Sequence, residues 1–230
     1  MAVAKDRARW ILLSAVAVTA TLYVIPYGHY IAYPLVLLST YAHEMGHGIT
    51  ALALGGEFQS FVMAPDASGL AYLRVPDSRI ARAATSAGGL IGPALLAAIF
   101  FWLARRSKTA HLGLLAFGIA SLAALLLVVR SAFGWLFVGA LGASCLYLGI
   151  KSSARVAQAL LAFMAVQLSL AVFSRADYLF TETAGSGPSD VAQMADALFL
   201  PYWFWGVVCG GISVVVLISG VRTFLKGERR

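Results

Sequence analysis

Tyr41-Ala42-His43-Glu44-Met45-Gly46-His47-Gly48 is a His-Glu-x-x-His pattern set inside a long apolar segment. Between Tyr27 and Gly56 the only formally charged residue is Glu44. A bilayer core makes ionisable groups expensive, so a carboxylate placed there between two histidines marks a functional site. Residues four apart on an α-helix are rotated by about 400° and rise by about 6 Å, so the rings of His43 and His47 point the same way. Two ring nitrogens on one face can grip a tetrahedral ion, and imidazole ligands suit zinc, with other divalent ions as alternatives. Glu44 lies one residue on and points elsewhere. It is placed to act as a general base on a water at the open coordination position, whose pKa zinc lowers to about 7. Interior histidines bonded to neighbouring helices, with Glu44 as counter-ion, are the plainer reading. Burying three such groups without a task is costly, which weighs against it. Haem is disfavoured too, because histidines at this spacing lie on one side of an ion.

Composition sets the surroundings of that motif. Hydrophobic residues make up 60% of the 230 residues, charged residues 12%, and the mean hydropathy is +0.84. Soluble domains carry about a quarter charged residues, so the chain is expected to be a polytopic membrane protein in a lipid bilayer. A net charge of +7 would suit nucleic acid. The basic residues sit at the ends of apolar segments, as membrane anchors do, and nucleic acid is excluded as a partner. Cys145 and Cys209 are isolated in apolar segments and make neither a disulfide framework nor a zinc site.

The chain then divides by composition. Lys5, Arg7 and Arg9 precede an apolar run from Trp10 to about Pro26, read as a retained first helix with a cytoplasmic N-terminus rather than a signal peptide. The second helix is expected over about Tyr30–Leu54, with Pro34 near its start and Gly55-Gly56 ending it. Glu57–Met63 and Leu70–Val75 are β-prone runs around a turn-forming Ala64-Pro65-Asp66-Ala67-Ser68-Gly69. They predict a membrane-associated β-hairpin, with a solvated loop as the alternative. An open edge cannot face lipid, and beside a metal it could hold an extended peptide.

Further apolar helices are expected over Ile80–Ala104, His111–Val129, Ser131–Ile150, Val156–Phe173 and Leu198–Gly220. The first of these carries Ser86-Ala87-Gly88-Gly89-Leu90-Ile91-Gly92-Pro93, small residues that allow close packing and a proline expected to kink it. Arg130 reads as a boundary residue reaching the headgroups, and Gln167 as an interhelical hydrogen-bonder. Ser189-Asp190 followed by Val191–Ala195 predicts a capped short helix. Seven spans would put the basic termini on opposite sides, against the positive-inside rule, and six plus one re-entrant segment would not. No internal repeat is evident.

Catalytic zinc usually takes three protein ligands. His29 and His111 read as interfacial, which leaves the carboxylates Asp66, Asp77, Asp177, Asp190 and Asp196. Asp190 and Asp196 stand out because the apolar helix after them could pack on the second one. Spacing does not separate them, and a helix N-cap is a competing role for Asp190.

His43-Glu44-Met45-Gly46-His47 on an early transmembrane helix, the hairpin-like stretch after it and Gly92-Pro93 together resemble the site-2 protease family of intramembrane zinc metalloproteases. The likeness is greatest to the compact bacterial branch without a PDZ domain. It covers residues 30–104 well and the C-terminal third loosely. That family holds zinc with two His and a later Asp and uses the Glu as general base. The resemblance therefore implies His43, His47 and Asp190 as ligands of Zn2+ and Glu44 as the base. The family's usual Leu-Asp-Gly after Asn-x-x-Pro is absent, and Ser189-Asp190-Val191-Ala192-Gln193 resembles the compact branch's variant. Asp196 is the reserve ligand.

The expectation is thus an all-α polytopic membrane protein of six or seven transmembrane helices, with a short hairpin after the second. Residues 1–230 form one integral-membrane domain, with a zinc-motif core at 30–104 and a third-ligand region and last helix at 189–220. The expected activity is cleavage of transmembrane segments of other membrane proteins, in the cell membrane. A metal-binding transporter and an inactive scaffold are the alternatives. The transporter would need polar residues lining a path, and only Gln167 and Arg130 offer themselves. The oligomeric state is open.

Overall fold

A computed structural model describes residues 2–174, 179–184 and 187–226. Among the described residues, eight helices and two antiparallel strand pairs follow in the order α1 (Ala2–Val24), α2 (Gly28–Ala53), β1 (Glu57–Met63), β2 (Gly69–Arg74), α3 (Arg79–Ala104), α4 (Ser107–Leu127), α5 (Ala132–Lys151), α6 (Ala154–Ser174), β3 (Thr183–Ala184), β4 (Gly187–Pro188), α7 (Asp190–Leu198) and α8 (Tyr202–Leu225). Among the described residues, α3, α4, α5 and α8 are long and apolar enough to cross a membrane, and shorter apolar stretches lie at Ala8–Leu22 and Ala154–Leu170. α2 has 26 residues. At 1.5 Å per residue it reaches about 39 Å, enough for a bilayer core, but it carries the polar motif.

α3 is the central post. α2, α6, α7 and α8 all pack against it, and α4 pairs chiefly with α5. The helix ends have identifiable causes. Ser78, Ser131 and Ser189 cap α3, α5 and α7 by accepting the amides of Ala81, Gly134 and Ala192 at 3.4, 3.2 and 3.2 Å. Ser189 thus holds the N-cap position that Asp190 was weighed for, and Asp190 is the first helical residue. Pro34 sits in the seventh position of α2 rather than at its start. The helix after Asp190 also departs from expectation, since α8 has α3 as its main partner. Gly220 of α8 fits against Ala98 of α3, where an added Cβ would come within 2.8 Å of backbone. Gln167 of α6 bonds Thr19 of α1, both buried, as an interhelical link. Cys145 and Cys209 are buried free thiols.

The residues between α2 and α3 form the hairpin. β1 pairs antiparallel with β2 from Glu57↔Arg74 to Met63↔Gly69, with a bulge between Phe58 and Ser60. At its tip Asp66 Oδ1 accepts the Ser68 amide at 2.9 Å and the Ser68 hydroxyl at 2.6 Å, and these bonds hold the Asp66 carboxyl below the usual carboxylate range. The tip is tied to α2, where the Tyr33 hydroxyl donates to Pro65 O and Thr40 Oγ1 donates to Ala67 O. The far side of β1 is closed by the α4–α5 connector. Phe61 N donates to Val128 O at 2.7 Å and Arg130 N donates to Phe61 O at 2.9 Å. Ser131 Oγ exchanges hydrogen bonds with both backbone groups of Met63, each at 2.9 Å. Arg130, exposed between α4 and α5, donates to the carbonyls of Leu127 and Val129 at 2.5 and 2.8 Å. A cation stabilises the partial negative charge at a helix C-terminus.

The closest helix contact lies between α2 and α3. A Cβ on Gly46 would stand 2.3 Å from Gly88 O, and one on Gly92 would stand 3.0 Å from the Gly46 Cα. Backbone cannot yield as a flexible side chain does, so Gly46→Ala is expected to force α2 and α3 apart. Overpacking of this kind costs about 1–3 kcal/mol, read as a lowered thermal midpoint in detergent. Gly211→Ala in α8, which meets nothing within 4 Å, should leave the midpoint unchanged or raised.

Candidate metal centre

α2 carries His43 and His47 on one face, with ring centroids 4.6 Å apart and planes at 86°. Their Nε2 atoms are 3.1 Å apart. Asp190, at the start of α7, brings Oδ2 to 3.2 Å from His43 Nε2 and Oδ1 to 3.4 Å from His47 Nε2. Nothing in the spacing of the sequence separated Asp190 from Asp196, and the fold does. Asp196 is exposed on α7 and takes no part in the cluster, Asp66 is engaged by Ser68, and Asp77 lines the cavity without joining the three. Asp177 lies outside the described residues. His29 stacks on Tyr30, and His111 lies between the carbonyls of Ser107 and Ser152.

The three groups fit a zinc ion. At metal–ligand distances of about 2.0–2.2 Å, tetrahedral geometry separates ligand atoms by about 3.3–3.6 Å, near the 3.1–3.4 Å found here. The donor chemistry agrees. His47 Nδ1 lies 2.8 Å from the carbonyl oxygen of Thr85. A carbonyl only accepts, so Nδ1 carries the proton, and in the neutral ring Nε2 is then a bare lone pair aimed at the cluster. Orienting a ligand histidine through its other nitrogen is how metal sites fix the tautomer. Without a cation between them, two imidazole nitrogens and a carboxylate this close would face one another largely as acceptors.

Glu44 stands apart from that triad. Its side chain is buried, and Oε2 accepts the amide of Ala71 on β2 at 2.8 Å. The geometry of the hairpin explains why this amide is available. Phe61 turns its N–H and C=O toward the α4–α5 connector, so its partner Ala71 turns its own toward the opposite edge. By alternation Gly69 and Leu73 do likewise. That edge, the two histidines, Glu44 and Asp190 share one open cavity of about 900 Å³, lined also by Thr85 and Ser86 of α3 and by Ala184, Pro188 and Gln193.

Two supporting groups escaped the sequence reading because they are backbone atoms, the Thr85 carbonyl and the Ala71 amide. A third, Gly89, was visible only as one of a run of small residues. A Cβ there would lie 2.2 Å from Cε1 and Nε2 of His47. The glycine is the space into which the imidazole fits. Gly89→Ala is expected to displace the ring and weaken zinc binding by about 10–100-fold, the range seen when groups supporting a metal ligand are lost. Zinc titration of the purified variant against the wild type checks this.

A family model described as Peptidase M50B-like matches residues 14–220 of the chain. Neither the comparison with curated proteins nor that with solved structures finds a match.

Proposed function

The chain belongs to the Peptidase M50B-like family, part of the site-2 protease group, and from that premise we propose that it is an intramembrane zinc metallopeptidase that hydrolyses peptide bonds in or near transmembrane segments of other membrane proteins. The observation that carries the reading is the convergence of His43, His47 and Asp190 beside Glu44 and an open strand edge in one cavity. In this reading His43 Nε2, His47 Nε2 and a carboxylate oxygen of Asp190 hold the ion. Zinc when bound supplies a Lewis acid and lowers the pKa of water.

The remaining steps belong to the chain's own residues. Glu44 takes a proton from the attacking water and delivers it to the nitrogen of the leaving amine, the dual role of a general acid–base. Its burial favours that work, because in a site sheltered from water the carboxylate acts without a competing hydration shell. The substrate must arrive unwound, since a helix ties up its own carbonyls. Gly69, Ala71 and Leu73 present the outward backbone groups of β2, and strand addition there would hold an extended segment beside the ligands. The cell membrane is the proposed location.

Two measurements test the reading. Purified protein in detergent should hold one zinc per chain, with Asp190→Ala losing it and Asp196→Ala retaining it. Equal zinc in both variants would remove Asp190 from the site. Glu44→Gln should keep zinc and abolish cleavage of a panel of single-span reporter proteins, read by mass spectrometry of the fragments. A Glu44→Gln protein that still cut the panel would sink the mechanism.

A further inference from the structure

Threonine hydroxyls in helices usually satisfy themselves on the preceding turn. In this protein Thr19, Thr21, Thr50 and Thr223 donate to the carbonyls of Ala15, Ala17, Gly46 and Ser219 at 2.8–2.9 Å. Thr40 donates to Ala67 O, and Thr109 to the carbonyls of Leu103 and Arg106. Thr85 is the exception. It is 6% exposed, and its Oγ1 is buried with no hydrogen-bond partner among the described residues. A buried hydroxyl left unpaired costs about 1–3 kcal/mol, so its retention calls for a reason.

Its location supplies one. Thr85 lines the same cavity as His43, Glu44, His47 and Asp190, and no other buried side-chain atom without a partner does so among the described residues. Its backbone carbonyl is already committed to His47 Nδ1, which fixes the residue beside the candidate ligands. Glu44 is occupied by the Ala71 amide, and the proton it takes from water is the one it delivers to the leaving amine, so it is not the donor to the carbonyl oxygen. Hydrolysis of a peptide bond puts negative charge on that oxygen, which a hydrogen-bond donor stabilises in addition to a Lewis acid. Water adds to the carbonyl carbon, and the π pair moves onto the carbonyl oxygen. The pair then returns as the C–N bond breaks and the amine leaves with the proton carried by Glu44. A donor aimed at that oxygen is worth about 100–1,000-fold in kcat.

We propose that the Thr85 hydroxyl, turned into the cavity by a χ1 rotation when substrate binds, is a catalytic hydrogen-bond donor to the scissile carbonyl oxygen. The proposal rests on the peptidase reading above and adds to it a residue outside the His-Glu-x-x-His motif. Thr85→Val keeps the side chain's shape and the carbonyl that orients His47 while removing the hydroxyl, and Thr85→Ser keeps the hydroxyl.

The experiment compares wild type, Thr85→Val and Thr85→Ser in three readouts. These are zinc content, cleavage kinetics on the single-span reporters, and affinity for an N-acetylated phosphinic Leu-Leu pseudopeptide, whose tetrahedral oxygens mimic the oxyanion. The expected result is unchanged zinc in all three proteins. kcat should fall by about 100-fold in Thr85→Val with KM little changed, and phosphinate affinity should fall by about 10-fold or more. Thr85→Ser should stay within a few-fold of wild type in each. Equal phosphinate affinity in wild type and Thr85→Val would overturn the role of Thr85 whatever the cleavage assay shows. Loss of zinc in Thr85→Val would overturn it too, by making the residue a support for His47. Failure of the wild type to cleave the panel would instead count against the peptidase reading, with the phosphinate comparison still deciding the donor.

Discussion

Everything in the site depends on how closely α2 approaches α3. Gly46, Gly88, Gly89 and Gly92 let the two backbones meet where any Cβ would collide, with Gly88 also making room for the Thr50 hydroxyl. Lipid tails are as apolar as leucine, so helices in a bilayer are held by such close packing rather than by hydrophobic exclusion. The contact does more than hold. It brings the Thr85 carbonyl within reach of His47 Nδ1 and leaves a hollow at Gly89 for the ring. A wider separation would keep both histidines on their helix and lose the lone pair's direction.

The sequence showed the parts whose geometry is local. Two histidines four residues apart share a helix face under any fold, and the hairpin announces itself through a turn composition between two β-prone runs. Strand limits differ from expectation by one residue at each end of β2. What stayed hidden is long-range or backbone-borne. Asp190 reaches the histidines only because α7 is docked on α3 and α8, and only the family resemblance singled it out from Asp196. The Ala71 amide and Thr85 carbonyl have no residue signature at all.

Burial sharpens each of these interactions. Glu44 and Gln167 are among the few buried polar side chains, and each is matched by a donor or acceptor from another element. In a low dielectric a matched polar group is held strongly and an unmatched one is costly. The same physics that makes the cluster expensive therefore fixes its geometry, so Glu44 is held on β2 while the three candidate ligands converge beside it.

The hairpin also bears on how copies of this protein coexist in a crowded bilayer. Sheet edges are templates for pairing with other chains. Here β1 is occupied by Val128–Arg130 on its outer side, and the opposite edge at Gly69, Ala71 and Leu73 is turned into the cavity. The β2 edge is thus reached through the cavity alone. Strand backbone screened in this way offers little template for edge-to-edge pairing between copies.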